Sequence, residues 1–248
     1  VPVIVLILDA VLVAGSVREA LRVRWRVHLA LFLCMSLVFL FLVMQSALFY
    51  DVVQAMDAGV EWWRYLVTQG GVILHYLRLS VLPVGLCLDY AWPPVESLKE
   101  AIVPVSVVGV LVAATLWGLW KRYPWAVAGA WFFGCLAPSS SFFPVTDIAF
   151  EHRMYLPLAA VCLMASLGLD WALVRLCRWH STLVKVGRGV VFGSIIVVFL
   201  LMTLERNRVY GSAERMWRDV LAKSPHNYRQ HVALVGALSG QGRYEEAE

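Results

Sequence analysis

Asp147, Glu151, His152 and Arg153 crowd into seven residues of the stretch PSSSFFPVTDIAFEHRMYLP, residues 138 to 157, where a long apolar run begins. A guanidinium is permanently charged, and its planar fork matches phosphate or carboxylate oxygens two at a time. Arg153 therefore suits an anionic group. Glu151 can orient that cation or accept a proton. Tyr155 offers a hydroxyl donor. The same residues could equally form a solvated loop that caps the following helix, and spacing alone leaves both readings open. His152 reads as a bystander. Asp147, Glu151 and His152 match no strong metal-ligand spacing, so no divalent metal is expected.

A second stretch, HYLRLSVLPVGLCLDYAWP at residues 75 to 93, places His75, Tyr76 and Arg78 in apolar surroundings and Asp89 and Tyr90 just beyond them. An Arg at the centre of a bilayer costs about 2.5–3.5 kcal/mol on insertion scales. Arg78 thus faces a polar cavity or a lipid headgroup, or snorkels along a surface helix.

The elements that must hold these residues are membrane helices. The chain has 248 residues, 60% hydrophobic and only 15% charged, with mean hydropathy +0.72. Soluble domains carry about 25% charged residues. Many of its eleven Trp sit at the ends of apolar runs, where amphipathic rings favour the interface. The five Cys are scattered without CxxC spacing and read as small hydrophobes. The net charge of +4 lies in short clusters between apolar runs, with no basic stripe interleaved with aromatics. Nucleic-acid binding is excluded on that pattern.

Apolar periodicity predicts the end of a span at 2–14 and spans at 28–46, 102–120, 125–142, 153–172 and 188–204. Residues 47–69 read as a helix lying at the interface. Residues 70–88 are apolar but contain Gly70, Gly71, Pro83 and Gly85. The basic loops at 15–27, 121–124 and 171–187 share one side, taken as cytoplasmic, only if 70–88 dips in and returns. Residues 47–101, 143–152 and everything after 204 then share the opposite side. Residues 1–206 form a polytopic membrane domain on this reading, and 207–248 a soluble segment. In that segment Leu234, Leu238, Gly242, Tyr244 and Ala247, after a Pro225-His226-Asn227 turn, match tetratricopeptide spacing. Val235 and His231 depart from the pattern. One repeat cannot bury its own face, so more copies should follow. The chain starts at Val1 inside an apolar run and stops at Glu248 inside the repeat pattern, and is expected to be a piece of a longer protein.

The two polar stretches in this order, then a basic loop, a final span and a tetratricopeptide pattern, resemble the bacterial relatives of the transmembrane and tetratricopeptide-repeat O-mannosyltransferases. The resemblance covers most of residues 60 to 248. It implies an all-α, polytopic helix bundle of the GT-C type followed by the start of a repeat solenoid. It further implies transfer of a sugar, such as mannose, from a polyprenyl-phosphate donor to an acceptor hydroxyl on the outer face, with no bound cofactor. In that class an acidic–basic pair precedes a late span that contains a proline, as Glu151, Arg153 and Pro157 do here. Glu151 and Arg153 are then the catalytic candidates. Tyr76, Arg78, Asp89, Tyr90, Asp147 and Tyr155 are the substrate-binding candidates. The acid that activates the acceptor in that class lies in the first outer loop, which this chain lacks, and Asp9 does not match its context. Partners implied are membrane lipid, the lipid-linked sugar and a protein or peptide acceptor held by the repeats. The short loops suggest a bacterial inner membrane, with the repeats on its periplasmic side, although an endoplasmic reticulum setting is compatible. The rival reading is a non-catalytic scaffold that recruits envelope-assembly partners through its repeats. A transporter would need repeat symmetry between halves, which is not evident.

Overall fold

A computed structural model describes residues 2–44, 61–140, 144, 148–176, 181–225 and 228–246. It is an all-α membrane helix bundle. The helices are α1 (Pro2–Leu8), α2 (Val17–Met44), α3 (Trp62–Val81), α4 (Leu98–Trp120), α5 (Trp125–Leu136), α6 (Pro157–Leu176), α7 (Ser181–Val209), α8 (Ala213–Lys223) and α9 (Tyr228–Ser239). A π-helical turn, Asp9–Val13, follows α1, and a 3-10 turn, Glu151–Met154, precedes α6. Among the described residues, four helices are long and apolar enough to cross a membrane: Val17–Phe41, Leu98–Trp120, Pro157–Leu176 and Val184–Val209. The chain packs as two compact units, one of Val1–Val84 with Trp92–Met164, the other of Gly85–Ala91 with Ala165–Glu248.

In the first unit, α3 packs on α4, α4 on α5, and α5 on α1. Without a hydrophobic drive between helices in lipid, close approach at small residues does the work. Gly70 of α3 lies against Val105 of α4: a Cβ there would meet Val105 Cγ2 at 2.9 Å and its main-chain N at 3.1 Å. Gly134 of α5 does the same for Ile4 of α1, where a Cβ would sit 2.9 Å from Ile4 Cδ1. The α4–α5 turn is an aromatic and basic knot. Tyr123 and Trp125 stack with centroids 6.0 Å apart, and Lys121 Nζ sits 5.1 Å from the centroid of Trp120. Such a knot suits a membrane interface. Asp9 is buried in the π-turn and accepts from Arg24, at a kink in α2, and from His28 at 2.9 Å. A buried charge needs such partners.

Several element boundaries differ from the sequence-based expectation. Residues 62–81 form one continuous helix, where an interface helix and a glycine-broken segment were expected. Gly70 marks a packing contact, and the helix stops instead at Leu82, whose backbone leaves the helical region ahead of Pro83. Residues 47–60 of the expected interface helix lie outside the described residues. The expected span at 125–142 is a helix of 12 residues, about 18 Å long against a bilayer core of about 30 Å. Arg18, Arg22, Arg24 and Arg26 ride on the first turns of α2, where a loop was expected. The span expected from 153 begins at Pro157, a residue suited to a first turn because its missing N–H needs no partner there. The final helix runs beyond 204 to Val209.

In the second unit, α8 and α9 pack together around Val220 and Leu238, 1% and 2% exposed. Ser212 caps α8 by accepting from Arg215 N at 3.2 Å. His226 and Asn227 of the expected turn lie outside the described residues.

Candidate functional site

The buried face of α3 carries a polar seam. Tyr65, Gln69 and Tyr76 recur at intervals of four and seven, which one helical face repeats, and all three are at most 1% exposed. Each holds a main-chain carbonyl of the connector between α5 and α6. Tyr65 Oη donates to Ser139 O, Gln69 Nε2 to Ile148 O at 3.3 Å, and Tyr76 Oη to Phe150 O at 2.8 Å. The Tyr76 hydroxyl also accepts from Phe150 N at 2.8 Å. One phenol thus satisfies both main-chain groups of the residue before Glu151.

Arg153 joins the same seam from the other side. Its Nη1 donates to Ile148 O at 3.1 Å and to Ser139 O at 3.4 Å. The guanidinium is half-buried and fixed by backbone, with Arg153 N bonded to Phe150 O at 3.3 Å. Glu151 and Arg153 both lie within electrostatic reach of the Tyr76 hydroxyl. The 3-10 turn brings this about: the two charged residues sit on one short coil between an extended Phe150 and the start of α6.

Beside the seam lies a cavity of about 480 Å³ between α3, α4 and the end of α5. Its walls include Gly70, Ile73, Val105 and Phe133, with Gln69 and Ser140 as the polar exceptions. Gln69 Oε1 and Ser140 Oγ are buried there with no hydrogen-bond partner among the described residues. Gln69 and Arg153 share the Ile148 carbonyl, so the apolar space and the fixed cation are neighbours.

Of the expected residues, Tyr76, Glu151 and Arg153 come together. Arg78 does not join them. Two residues on from Tyr76, it leaves α3 about 200° round the helix, is exposed, and donates to Val84 O at 3.1 Å. Tyr155 is 83% exposed. Asp89 and Tyr90 belong to the second compact unit, where their side chains build a turn: Asp89 Oδ1 accepts from Ala91 N at 2.9 Å, and Tyr90 Oη from Cys87 N at 3.1 Å. Asp147 lies outside the described residues. Among the described residues, no three His, Cys, Asp or Glu side chains gather into a metal cage. Sequence reasoning missed Tyr65, Gln69 and the Ser139 and Ile148 carbonyls. The spacing of Tyr65, Gln69 and Tyr76 was a usable signal, hidden by dividing the helix at its glycines.

Comparison with known proteins supports the resemblance. Protein O-mannosyl-transferase TMTC1 of Homo sapiens is 28% identical over 198 residues, covering 74% of this chain and 22% of that protein. The Mus musculus protein of the same name is 27% identical over 209 residues, covering 77% of this chain and 21% of its own length. Protein O-mannosyl-transferase Tmtc1 of Drosophila melanogaster is 32% identical over 116 residues, 46% of this chain and 13% of the relative. The chain is similar to the TMTC protein O-mannosyl-transferases. It spans about a fifth of the length of the first two relatives. With four helices among the described residues long and apolar enough to cross a bilayer, it is an integral membrane protein. No family model and no solved structure matches it.

Proposed function

We propose that this chain is a piece of a membrane glycosyltransferase that moves a sugar, mannose by analogy with its relatives, from a polyprenyl-phosphate donor to an acceptor hydroxyl on the outer face. One observation carries the reading: a half-buried guanidinium, fixed by two main-chain carbonyls, next to a largely apolar cavity. An amphiphilic donor has the matching shape, with an isoprenoid chain for the cavity and a phosphate for Arg153. Breaking the sugar–phosphate bond leaves added negative charge on the phosphate. A cation already held in place stabilises that charge without reorganising. Glu151, beside it, orients the guanidinium or receives a proton from the acceptor. Tyr76 positions both through Phe150. Asp89, Tyr90, Asp147 and Tyr155 remain substrate contacts on this reading. Arg78 contributes charge at the helix surface, where a lipid headgroup can reach it. The tail would present a protein or peptide acceptor as the first of several repeats, on the same side as the site. The scaffold reading needs Arg78 and Arg153 both turned to bulk water. Arg78 is exposed, whereas Arg153 is half-buried in the seam.

The test is Arg153→Ala in the full-length protein, with transfer measured from a polyprenyl-phosphate sugar. Turnover should fall by about 10²–10³, as for loss of one electrostatic contact to a developing charge. Arg78→Ala should cost less than about tenfold, chiefly in KM. Unchanged turnover and donor binding in Arg153→Ala would remove Arg153 from the site.

A further inference from the structure

Arg153 Nη1 donates to two carbonyls, those of Ser139 and Ile148, 14 and 5 residues before it in the chain. A carbonyl oxygen has two lone pairs, and each of these oxygens is also taken by a side chain of α3. Tyr65 Oη donates to Ser139 O, and Gln69 Nε2 to Ile148 O at 3.3 Å. Two side chains of one helix thus meet one nitrogen of the guanidinium through two shared oxygens. Tyr65 and Gln69 stand one turn apart on a single face of α3. Both are buried, in the same compact unit as Ser139, Ile148 and Arg153. Ser139 and Ile148 lie outside the helices, so no helical ladder fixes their carbonyls. The frame from which those carbonyls hang is α3.

Stability alone does not account for the Gln69 amide. Its Oε1 is buried with no hydrogen-bond partner among the described residues, and an acceptor left that way destabilises a fold. A leucine there has a similar shape and strands nothing opposite, because the Ile148 carbonyl keeps its bond from Arg153. Likewise, a phenylalanine at Tyr65 leaves Ser139 O with Arg153 Nη1 at 3.4 Å. What each substitution breaks is a link between α3 and the acceptors of the guanidinium.

We propose that Tyr65 and Gln69 are positioning residues for the Arg153 cation: α3 locates the guanidinium through the Ser139 and Ile148 carbonyls. This rests on the reading of Arg153 as the cation that meets the donor phosphate. A cation stabilises developing charge without reorganising only if it is already held in place, and a misplacement of about 1 Å can cost about 10²-fold in rate.

The experiment uses the full-length protein with Tyr65→Phe and Gln69→Leu, made singly, each beside Arg153 and beside Arg153→Ala. Transfer is measured from a polyprenyl-phosphate sugar, and unfolding in detergent. With Arg153 present, each substitution should lower kcat about tenfold and leave KM within about threefold of wild type. Beside Arg153→Ala, the same substitutions should change the residual turnover by less than about twofold, since no guanidinium is left to position. The unfolding midpoint of Gln69→Leu should match wild type or exceed it. Undiminished kcat in either variant, where Arg153→Ala has lost turnover, would remove that residue from the role and leave the site reading standing. An equal loss in both backgrounds, or a loss of kcat that tracks a lower unfolding midpoint, would overturn the positioning role in favour of a purely structural contact. Full turnover in Arg153→Ala would instead overturn the site reading, and the positioning role with it.

Discussion

Tyr76→Phe removes one oxygen and with it two hydrogen bonds to the main chain of Phe150, whose carbonyl keeps the bond from Arg153 N at 3.3 Å. The ring still fills its place, since Tyr76 is 1% exposed and a phenyl has nearly its shape. A typical hydrogen bond contributes about 0.5–1.5 kcal/mol, and here one substitution removes two. The expected outcome is a folded protein whose connector around Glu151 and Arg153 has loosened. Steady-state transfer should lose kcat, and amide exchange at 148 to 153 should quicken. Arg153→Lys tests the same geometry from the other side. The guanidinium reaches the Ile148 and Ser139 carbonyls through Nη1, at one corner of a rigid plane, whereas an ammonium is a compact point charge on a flexible stem. Charge alone should therefore not restore function, and the lysine variant should turn over within about tenfold of Arg153→Ala. Activity near wild type would show that position 153 needs only a positive charge.

The contact between α3 and α4 depends on an absent side chain. Gly70→Ala puts a methyl 2.9 Å from Val105 Cγ2 and 3.1–3.2 Å from Val105 main-chain atoms. Overpacking of this kind costs about 1–3 kcal/mol, read as a lower unfolding midpoint in detergent. Val105→Ala should rescue only partly, because it removes the Cγ2 clash and leaves the main-chain one. Complete rescue would mean that the helices are free to slide. The same glycine explains what the sequence could and could not say. The long spans were legible because an unbroken apolar run has few folded meanings. The α3 helix was not, because glycine serves both as a helix breaker and as a close-packing residue, and only the neighbour at Val105 decides between them. At the site, Glu151, Arg153 and Tyr76 stood out as polar groups in apolar surroundings. Their supports did not, because those are main-chain carbonyls 74 to 79 residues from the α3 side chains that hold them. A backbone acceptor leaves no mark in the residue types. Arg78 was grouped with Arg153 on charge alone, and helical rotation sends it to another face.

Across the whole chain, one grouping joins residues remote in sequence: Gly85–Ala91 packs with the tail, and Lys223 grips it at the Leu86 carbonyl. The ion chain Arg206–Asp219–Lys223 ends on the Leu86 carbonyl, so its central carboxylate gives it a pH dependence. Burial, the largest single influence, pushes the Asp219 carboxyl up, but the hydrogen bonds and charges of Lys223 and Arg206 together hold it below its ordinary value. A group lowered on folding stabilises the fold above its unfolded pKa, about 3.9 for Asp, and that contribution is lost as pH falls through the folded value. The grip should therefore be full at neutral pH, begin to fail below about pH 4, and be gone once Asp219 is protonated. Acid alone is an ambiguous probe, because Glu246 is held low by the Arg243 hydrogen bond, and Glu214 by Arg218 and Arg243 against the larger upward pull of burial. The difference between wild type and Asp219→Asn isolates the one carboxylate. At pH 6 the asparagine variant should unfold at a lower temperature and exchange faster at 86 to 91. As pH drops below Asp219's folded value, the two proteins should converge, since wild type then carries a neutral side chain there as well. A gap that persists unchanged into strong acid would mean that the charge of Asp219 does not hold Lys223 on the loop.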